Sequence, residues 1–246
     1  MNSASGKVAI VTGASGGIGA AVAKRLARDG FSVVVNYVGN KEAADKVVDE
    51  IVAAHGAATA VKADVSDSNA MTGLFNAAES AFGGTDVLIN NGGIMKLSPI
   101  GETTDELFDQ QVAINLKGVF NGMREAAKRL RDGGHIVSFS SSVVGLYQPT
   151  YGTYAATKAG VEAMTHILSK ELRGRNITVN AIAPGPVATK LFLDGKPKEA
   201  IEGAAKMSPL GRIGEPDDIA SAVSFLVGPD AGWIDGQVLR ANGGVI

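Results

Sequence analysis

Short runs of β-branched and apolar residues alternate along the chain with longer stretches in which apolar side chains recur every three or four positions. The runs at 8–12, 32–37, 58–62, 87–90, 135–140, 177–181 and 237–240 read as strands. Between the first two, Ile18, Val22 and Leu26 form the apolar stripe of a helix that Gly30 stops. After Tyr154 a second stripe, Val161, Met164, Leu168 and Leu172, predicts a helix with one side against the sheet. Alternation of this kind builds βαβ units. Their crossovers are right-handed almost without exception, so an α/β fold with a parallel sheet and helices on both faces is expected. The rhythm fails at 184–215, where Gly185, Pro186, Gly195, Pro197, Pro209, Gly211 and Gly214 crowd together. This stretch reads as a mobile flap with a short helix, its substrate-facing part at about 187–212, and Pro216 suits the first position of a new helix. No linker interrupts the pattern, so residues 1–246 are expected to form one domain.

Composition narrows the possible partners. The chain has 23 basic and 25 acidic side chains and a net charge of −2, which provides no basic field for nucleic acid or an anionic membrane surface. A small molecule is the expected partner. The absence of cysteine removes disulfides, thiolate metal sites and cysteine nucleophiles, fits a cytoplasmic setting, and leaves no metal called for. No apolar run approaches the roughly 18 to 20 residues of a membrane helix, and residues 1–7 lack the pattern of an export signal. Glycine is the anomaly: 32 of 246 residues, against a usual share near 7%. Tight turns and close backbone approaches account for such an excess without repeats.

The densest cluster, Thr12-Gly13-Ala14-Ser15-Gly16-Gly17-Ile18-Gly19, joins the first strand to the first helix. Free N–H groups at a helix N-terminus attract phosphate, and glycines let the ligand approach the backbone. The same residues also satisfy G-x-S-x-G, the elbow that presents a nucleophilic serine, here Ser15, in hydrolases. That reading needs a histidine late in the chain, and only His55, His135 and His166 exist. Farther on, Tyr154 and Lys158 stand four residues apart and share a helical face, where a cation favours the phenolate. An ordinary surface pair has the same spacing.

The glycine loop, Asn90-Asn91-Gly92-Gly93, Asn115, Ser140-Ser141-Ser142, Tyr154-x-x-x-Lys158 and Pro184-Gly185 occur in this order. Together they resemble the short-chain dehydrogenase/reductase family from Lys7 to Gly244. The resemblance implies a doubly wound Rossmann-type fold with a seven-stranded parallel sheet, a nicotinamide cofactor and a homotetramer. It makes Tyr154 the acid that protonates a carbonyl oxygen and the base in the reverse direction. Lys158 lowers the tyrosine pKa and holds the nicotinamide ribose, while Asn115 anchors a water in a proton relay, unless it is only a buried amide satisfied by backbone. Ser141, thirteen places before the tyrosine, orients the substrate; counting from Val143-Val144-Gly145 selects Ser142 instead. Gly13, Ser15, Gly17, Ile18, Gly19, Asn91, Gly92, Pro184, Gly185, Val187 and Thr189 are carried over as cofactor contacts. Asp64 and Val65 meet the adenine edge, although an aspartate there also suits a helix cap.

An acid at the end of the second strand would bind the ribose 2′-hydroxyl of NAD. Tyr37 stands there, so the repulsion of a 2′-phosphate is gone and NADP(H) is favoured, with NAD(H) not excluded. No arginine replaces the acid, which leaves Ser15, Asn36, Asn40 and Lys41 as phosphate partners. The flap residues Leu191, Phe192, Leu193, Met207 and Leu210, with Tyr147, Gln148 and Tyr151, suit an apolar ketone or aldehyde, or its alcohol. Two alternatives stay beside this carbonyl reductase. One is a 3-oxoacyl-(acyl carrier protein) reductase whose acidic carrier docks on Arg129, Arg131, Arg173 and Arg175; the other is a non-catalytic NADP(H)-binding module.

Overall fold

The computed structural model describes residues 6–246, so most of the segment 1–7 read for an export signal lies outside the described residues. Seven strands, β1 (Val8–Val11), β2 (Ser32–Tyr37), β3 (Ala57–Lys62), β4 (Val87–Asn90), β5 (His135–Phe139), β6 (Thr178–Pro184) and β7 (Val238–Ala241), form one sheet. Their order is β3-β2-β1-β4-β5-β6-β7 and every neighbouring pair is parallel. The helices are α1 (Gly17–Arg28), α2 (Lys41–Ala53), α3 (Ser68–Phe82), α4 (Asp105–Gln111), α5 (Gly118–Arg129), α6 (Val143–Leu146), α7 (Gly152–Glu171), α8 (Lys190–Leu193), α9 (Lys198–Met207) and α10 (Pro216–Leu226). This is the doubly wound Rossmann-type α/β fold expected from the sequence.

Successive side chains of a strand point to opposite faces, and in a sheet covered on both sides each face needs its own apolar set. Ala9, Val11, Val33 and Val35 enter one core with Val22 and Leu26 of α1 and Ile219 and Val223 of α10. Val8, Ile10 and Val34 enter the other, with Leu74 and Phe75 of α3, Met123 of α5 and Val161 and Leu168 of α7. Both stripes read from the sequence therefore lie against the sheet. Helix α1 stops where expected, with Gly30 at φ 95°, and α10 begins at Pro216 under a reciprocal cap of Glu215 and Asp218.

Three features differ from the sequence reading. Strand β6 continues to Pro184, because residues 181–184 pair with β7 and a proline at a strand end loses no inner ladder bond. The flap holds two helices, α8 and α9. Gly145, which the sequence offers as a helix stop or turn, lies inside α6; a Cβ there would sit 2.5 Å from Cδ1 of Ile246. The chain leaves β1 for β2 and β3 on one side and then crosses to β4 on the other, so a crevice opens beyond the carboxyl ends of β1 and β4.

Candidate active site

The floor of the crevice is backbone against backbone. Asn91 Nδ2 donates to the carbonyls of Thr12 (2.8 Å) and Gly13 (3.2 Å), and the amides of Asn91 and Gly92 both donate to Thr12 Oγ1 (3.0 and 2.9 Å). A Cβ on Gly13, at φ 63°, would stand 2.8 Å from the Gly92 Cα; one on Gly19 would stand 2.4 Å from the Gly13 carbonyl oxygen. At Gly92, where the family resemblance implies an alanine, a Cβ would meet only ordinary contacts, the shortest 3.4 Å, so glycine there leaves the floor intact. Helix α1 starts at Gly17 with no side-chain cap and no acid in its first turn, and Gly16 and Gly17 are exposed. Unclaimed N–H groups, a positive helix end and a surface without Cβ atoms fit the pyrophosphate of a dinucleotide. Ser15 and Ile18 are half-buried at the rim, and Thr189 faces Gly17 across it, its methyl 3.5 Å from where a Gly17 Cβ would be.

The adenosine side is rearranged relative to expectation. Asn36 is buried and committed: its Oδ1 accepts the Gly13 amide (3.1 Å) and its Nδ2 donates to the Ala63 carbonyl (2.9 Å). It ties β2 to the glycine loop instead of offering a free amide to a phosphate. Tyr37 packs in the core beside α2, and the Asn40 side chain caps α2 through the Ala43 amide (2.9 Å). Lys41 is exposed and paired with Asp45. Asp64 is exposed, one oxygen holding the amide and hydroxyl of Ser66, while the helix-capping role falls to Asp67. Val65 is buried against Gly118.

Tyr154 and Lys158 are both buried, near the start of α7, so they are not a surface pair. Burial pushes the Tyr154 phenol up to about 12, against a smaller opposing effect of the nearby Ser141 hydroxyl. Burial pushes the Lys158 ammonium down to about 8. The expected lowering of the phenol by Lys158 is therefore outweighed. Nζ lies over the Tyr154 ring, 5.6 Å from its centre, and donates to the Phe139 carbonyl at 2.8 Å. Of the two serines, Ser141 faces Tyr154. Ser142 is buried and spent, its hydroxyl donating to the Ala183 carbonyl and accepting from Asn242. Asn115 lies in a π-helical turn, Val112–Lys117, between α4 and α5. Such turns often mark functional positions. Its carboxamide accepts from the Ile94 amide (2.8 Å) and donates to the Ile94 carbonyl (2.9 Å), with a longer bond to the Thr157 hydroxyl (3.5 Å). The side chain thus fixes the backbone after Gly93.

Tyr154, Lys158 and Ser141 line a cavity of about 380 Å³ together with Asn91, Pro184, Gly185, Val187 and Thr189. Of the apolar residues expected in the flap, Leu191, Phe192 and Met207 reach the cavity, as do Gln148 and Tyr151. Leu193, Leu210 and Tyr147 do not; Tyr147 is 84% exposed. Met95, Leu146 and the α9 face of Ala200, Gly203 and Ala204 were missed by sequence reasoning. Small residues at i, i+3 and i+4 were the available sign of that face.

Two alternatives offered by the sequence can also be placed in the fold. Ser15 follows β1 at the carboxyl end of the sheet. His135 opens β5, His55 precedes β3 and His166 lies beside Gly236 before β7, all at the amino end, so no histidine can activate Ser15. Three of the four docking arginines are also structural. Arg129 binds Glu79 and Asn76, Arg131 binds Asp86 and the Gly83 carbonyl, and Arg175 binds Asp132 and the Ala127 carbonyl. Asp86 directly precedes β4, so the Arg131 pair is at the end of the sheet remote from Tyr154.

Comparison with known proteins agrees with this geometry. A family model described as enoyl-(acyl carrier protein) reductase matches residues 13–246. An uncharacterized oxidoreductase of Methylorubrum extorquens is 45% identical, over all of both chains. An NADPH-dependent aldehyde reductase-like protein of Arabidopsis thaliana is 43% identical over 98% of this chain and 94% of its own. The crystal structure of a short-chain dehydrogenase from Burkholderia cenocepacia in complex with NADP superposes with a TM-score of 0.93, at 36% identity and 99% coverage of both chains. Since the family model and these relatives match along nearly the whole chain, the chain is an oxidoreductase that belongs to the short-chain dehydrogenase/reductase family.

Proposed function

We propose that the chain is an NADP(H)-dependent carbonyl reductase, working in reverse as an alcohol dehydrogenase, with Asn115, Ser141, Tyr154 and Lys158 as its functional set. The observation that carries this reading is the placement of the Ser141 and Tyr154 hydroxyls on one largely apolar cavity beside the glycine cradle. Two hydroxyls placed together there can both donate to one oxygen as it gains charge, and they need no reorganisation to do so. Burial keeps Tyr154 protonated at neutral pH, the state a proton donor to a carbonyl requires.

Gly13, Ser15, Gly17, Ile18, Gly19, Asn91, Gly92, Pro184, Gly185, Val187 and Thr189 would hold the dinucleotide, with Asp64 and Val65 at its adenine. When bound, the nicotinamide supplies the hydride. Ser141 orients the carbonyl, Tyr154 gives up its proton to the oxygen, and Lys158 holds the ribose side and replenishes the proton. Asn115 positions the residue 94 backbone that walls this space. NADP(H) over NAD(H) is supported by the missing acid at Tyr37, by the NADPH named for the Arabidopsis relative and by the NADP bound to the Burkholderia protein. A homotetramer, as the family resemblance implies, in the cytoplasmic setting that the absence of cysteine fits, completes the proposal. A free carbonyl compound is favoured over a carrier-bound one, although a 3-oxoacyl-(acyl carrier protein) reductase of Staphylococcus aureus is 39% identical, because Arg129, Arg131 and Arg175 are engaged within the fold.

The test is Tyr154→Phe, assayed by nicotinamide absorbance on a panel of ketones and aldehydes with NADPH and with NADH. Ketone reduction should fall by about 10² to 10⁴, the usual worth of a general acid, while NADPH affinity stays within about twofold. NADPH should give the higher kcat/KM in the wild type. Undiminished turnover in Tyr154→Phe would sink the tyrosine mechanism, and a wild type that binds NADPH but reduces nothing would favour the binding module.

A further inference from the structure

The segment 187–212 carries four lysines, and Lys196 is unlike its neighbours. Lys190 and Lys198 are more than 80% exposed and face Asp194 and Glu202 on their own helices. Lys206 is exposed. Lys196 is half-buried and has no carboxylate within 4.0 Å among the described residues. Its Nζ sits 4.6 Å from the centre of the Phe192 ring, and both side chains line the 380 Å³ cavity.

The charge of that cavity is one-sided. Its wall holds two ammonium groups, Lys158 and Lys196, and no aspartate or glutamate. Lys158 is deep, buried and committed to the Phe139 carbonyl, so Lys196 is the cation free to take a ligand's charge. Stacking on an aromatic face holds an ammonium in place, and partial burial strengthens its attraction for an anion relative to open water. The lysine stem leaves the charge at the cavity edge with apolar surface around it. An oxygen anion approaching Lys196 therefore brings the rest of its molecule against Phe192, Leu191 and Met207.

We propose that Lys196 is a specificity-determining residue that binds the carboxylate of an apolar or aromatic oxo acid, while the ketone of the same molecule addresses Ser141 and Tyr154. The inference rests on the carbonyl-reductase reading for the second half of that statement and is independent of it for the first. A neutral ketone would lack the ionic contact, and a cationic one would be repelled.

The test compares benzoylformate with its methyl ester, which share a ketone and an aryl ring and differ by one charge. Lys196→Gln should raise KM for the acid about tenfold, leave KM for the ester within twofold, and leave kcat for both unchanged. Lys196→Met, which keeps the apolar stem over Phe192, should reproduce the result; Lys196→Arg should largely restore acid binding. NADPH affinity should stay within twofold in all three. Equal effects on acid and ester, no effect on either, or a loss confined to NADPH affinity would overturn the anion site. Calorimetric titration of benzoylformate into the NADP⁺-loaded protein reads binding without turnover. If the wild type reduces neither ketone yet binds the acid in a Lys196-dependent way, the reductase reading fails and the anion site stands. If binding of the acid does not depend on Lys196, the anion site fails whatever the turnover.

Discussion

The two walls of the cavity are built on opposite principles. On the cofactor side, Thr12, Gly13, Gly19, Asn36 and Asn91 lock the ends of β1, β2 and β4 through backbone groups. Positions are fixed there by hydrogen bonds and by the absence of Cβ atoms, and one added methyl group has nowhere to go. On the substrate side, α8 and α9 contain no buried residue, and their apolar side chains are partly exposed. A region with few buried contacts opens at low free-energy cost, whereas an interlocked backbone floor opens only with the whole sheet. One wall can thus hold an invariant ligand rigidly while the other stays soft enough to admit and release a variable one.

Gly19→Ala is the harshest way to break the rigid wall. The new Cβ would stand 2.4 Å from the Gly13 carbonyl oxygen, which is backbone, and 2.5 Å from Asn91 Nδ2, which the Thr12 and Gly13 carbonyls hold in place. Overpacking usually costs about 1 to 3 kcal/mol, and here the upper end is expected because backbone must shift. Urea unfolding should show a loss of about 3 kcal/mol, with NADPH affinity reduced at least tenfold. A variant with wild-type stability and affinity would mean that the floor is as yielding as the flap.

Lys158→Met probes the junction of the two walls and should raise stability while removing activity. The folded pKa of Lys158 lies near 8, below its ordinary 10.5, because burial disfavours the ammonium. Below pH 8 the lysine is charged in both folded and unfolded chains, so the folded state bears the full desolvation cost. Between pH 8 and 10.5 the unfolded chain binds more protons, so wild-type stability rises with pH. Each pKa unit is worth about 1.36 kcal/mol. After allowing for the lost hydrogen bond to Phe139, the methionine variant should be about 2 kcal/mol more stable at pH 7. That gain should shrink across pH 8 to 10.5 in denaturant titrations. Equal stability of the two proteins at pH 7 would show that the buried charge is compensated.

The contrast also explains what could be read from the chain. The strand pattern and the glycine loop were legible because burial on both sheet faces and a Cβ-free cradle each impose a local rule on residue type. The Tyr154–Lys158 juxtaposition followed from helical spacing, and Ser141 from the count that the family resemblance implies. The commitment of Asn36 was not legible. A polar residue in a buried strand has the same letter whether its amide meets a phosphate or, as here, the Gly13 amide and the Ala63 carbonyl. The direction of the Tyr154 pKa shift was misjudged for a related reason. Helical spacing brings Lys158 near the ring, but only three-dimensional packing shows that Nζ donates to Phe139 and that desolvation prevails. In the flap, glycines and prolines concealed α9, and Arg129, Arg131 and Arg175 looked free because their partners lie 43 to 57 residues away in sequence.

Gly203→Ala makes the same chemical change as Gly19→Ala in the opposite wall, and its effect should be smallest and of opposite sign. Gly203 lies within α9 without a positive φ, and a Cβ there would meet nothing within 4 Å. Alanine is favoured over glycine in a helix interior by about 0.8 to 1 kcal/mol. Because α9 is exposed and short, thermal unfolding should show a gain below about 1 kcal/mol. The methyl group enters a helix that lines the cavity, so KM for bulky ketones should rise a few-fold while NADPH affinity stays unchanged. Reversal of that pattern, with cofactor binding weakened and ketone KM untouched, would mean that α9 braces the rigid wall. A gain in stability with the ketone effect alone would identify the flap as the soft, substrate-selecting half of the site.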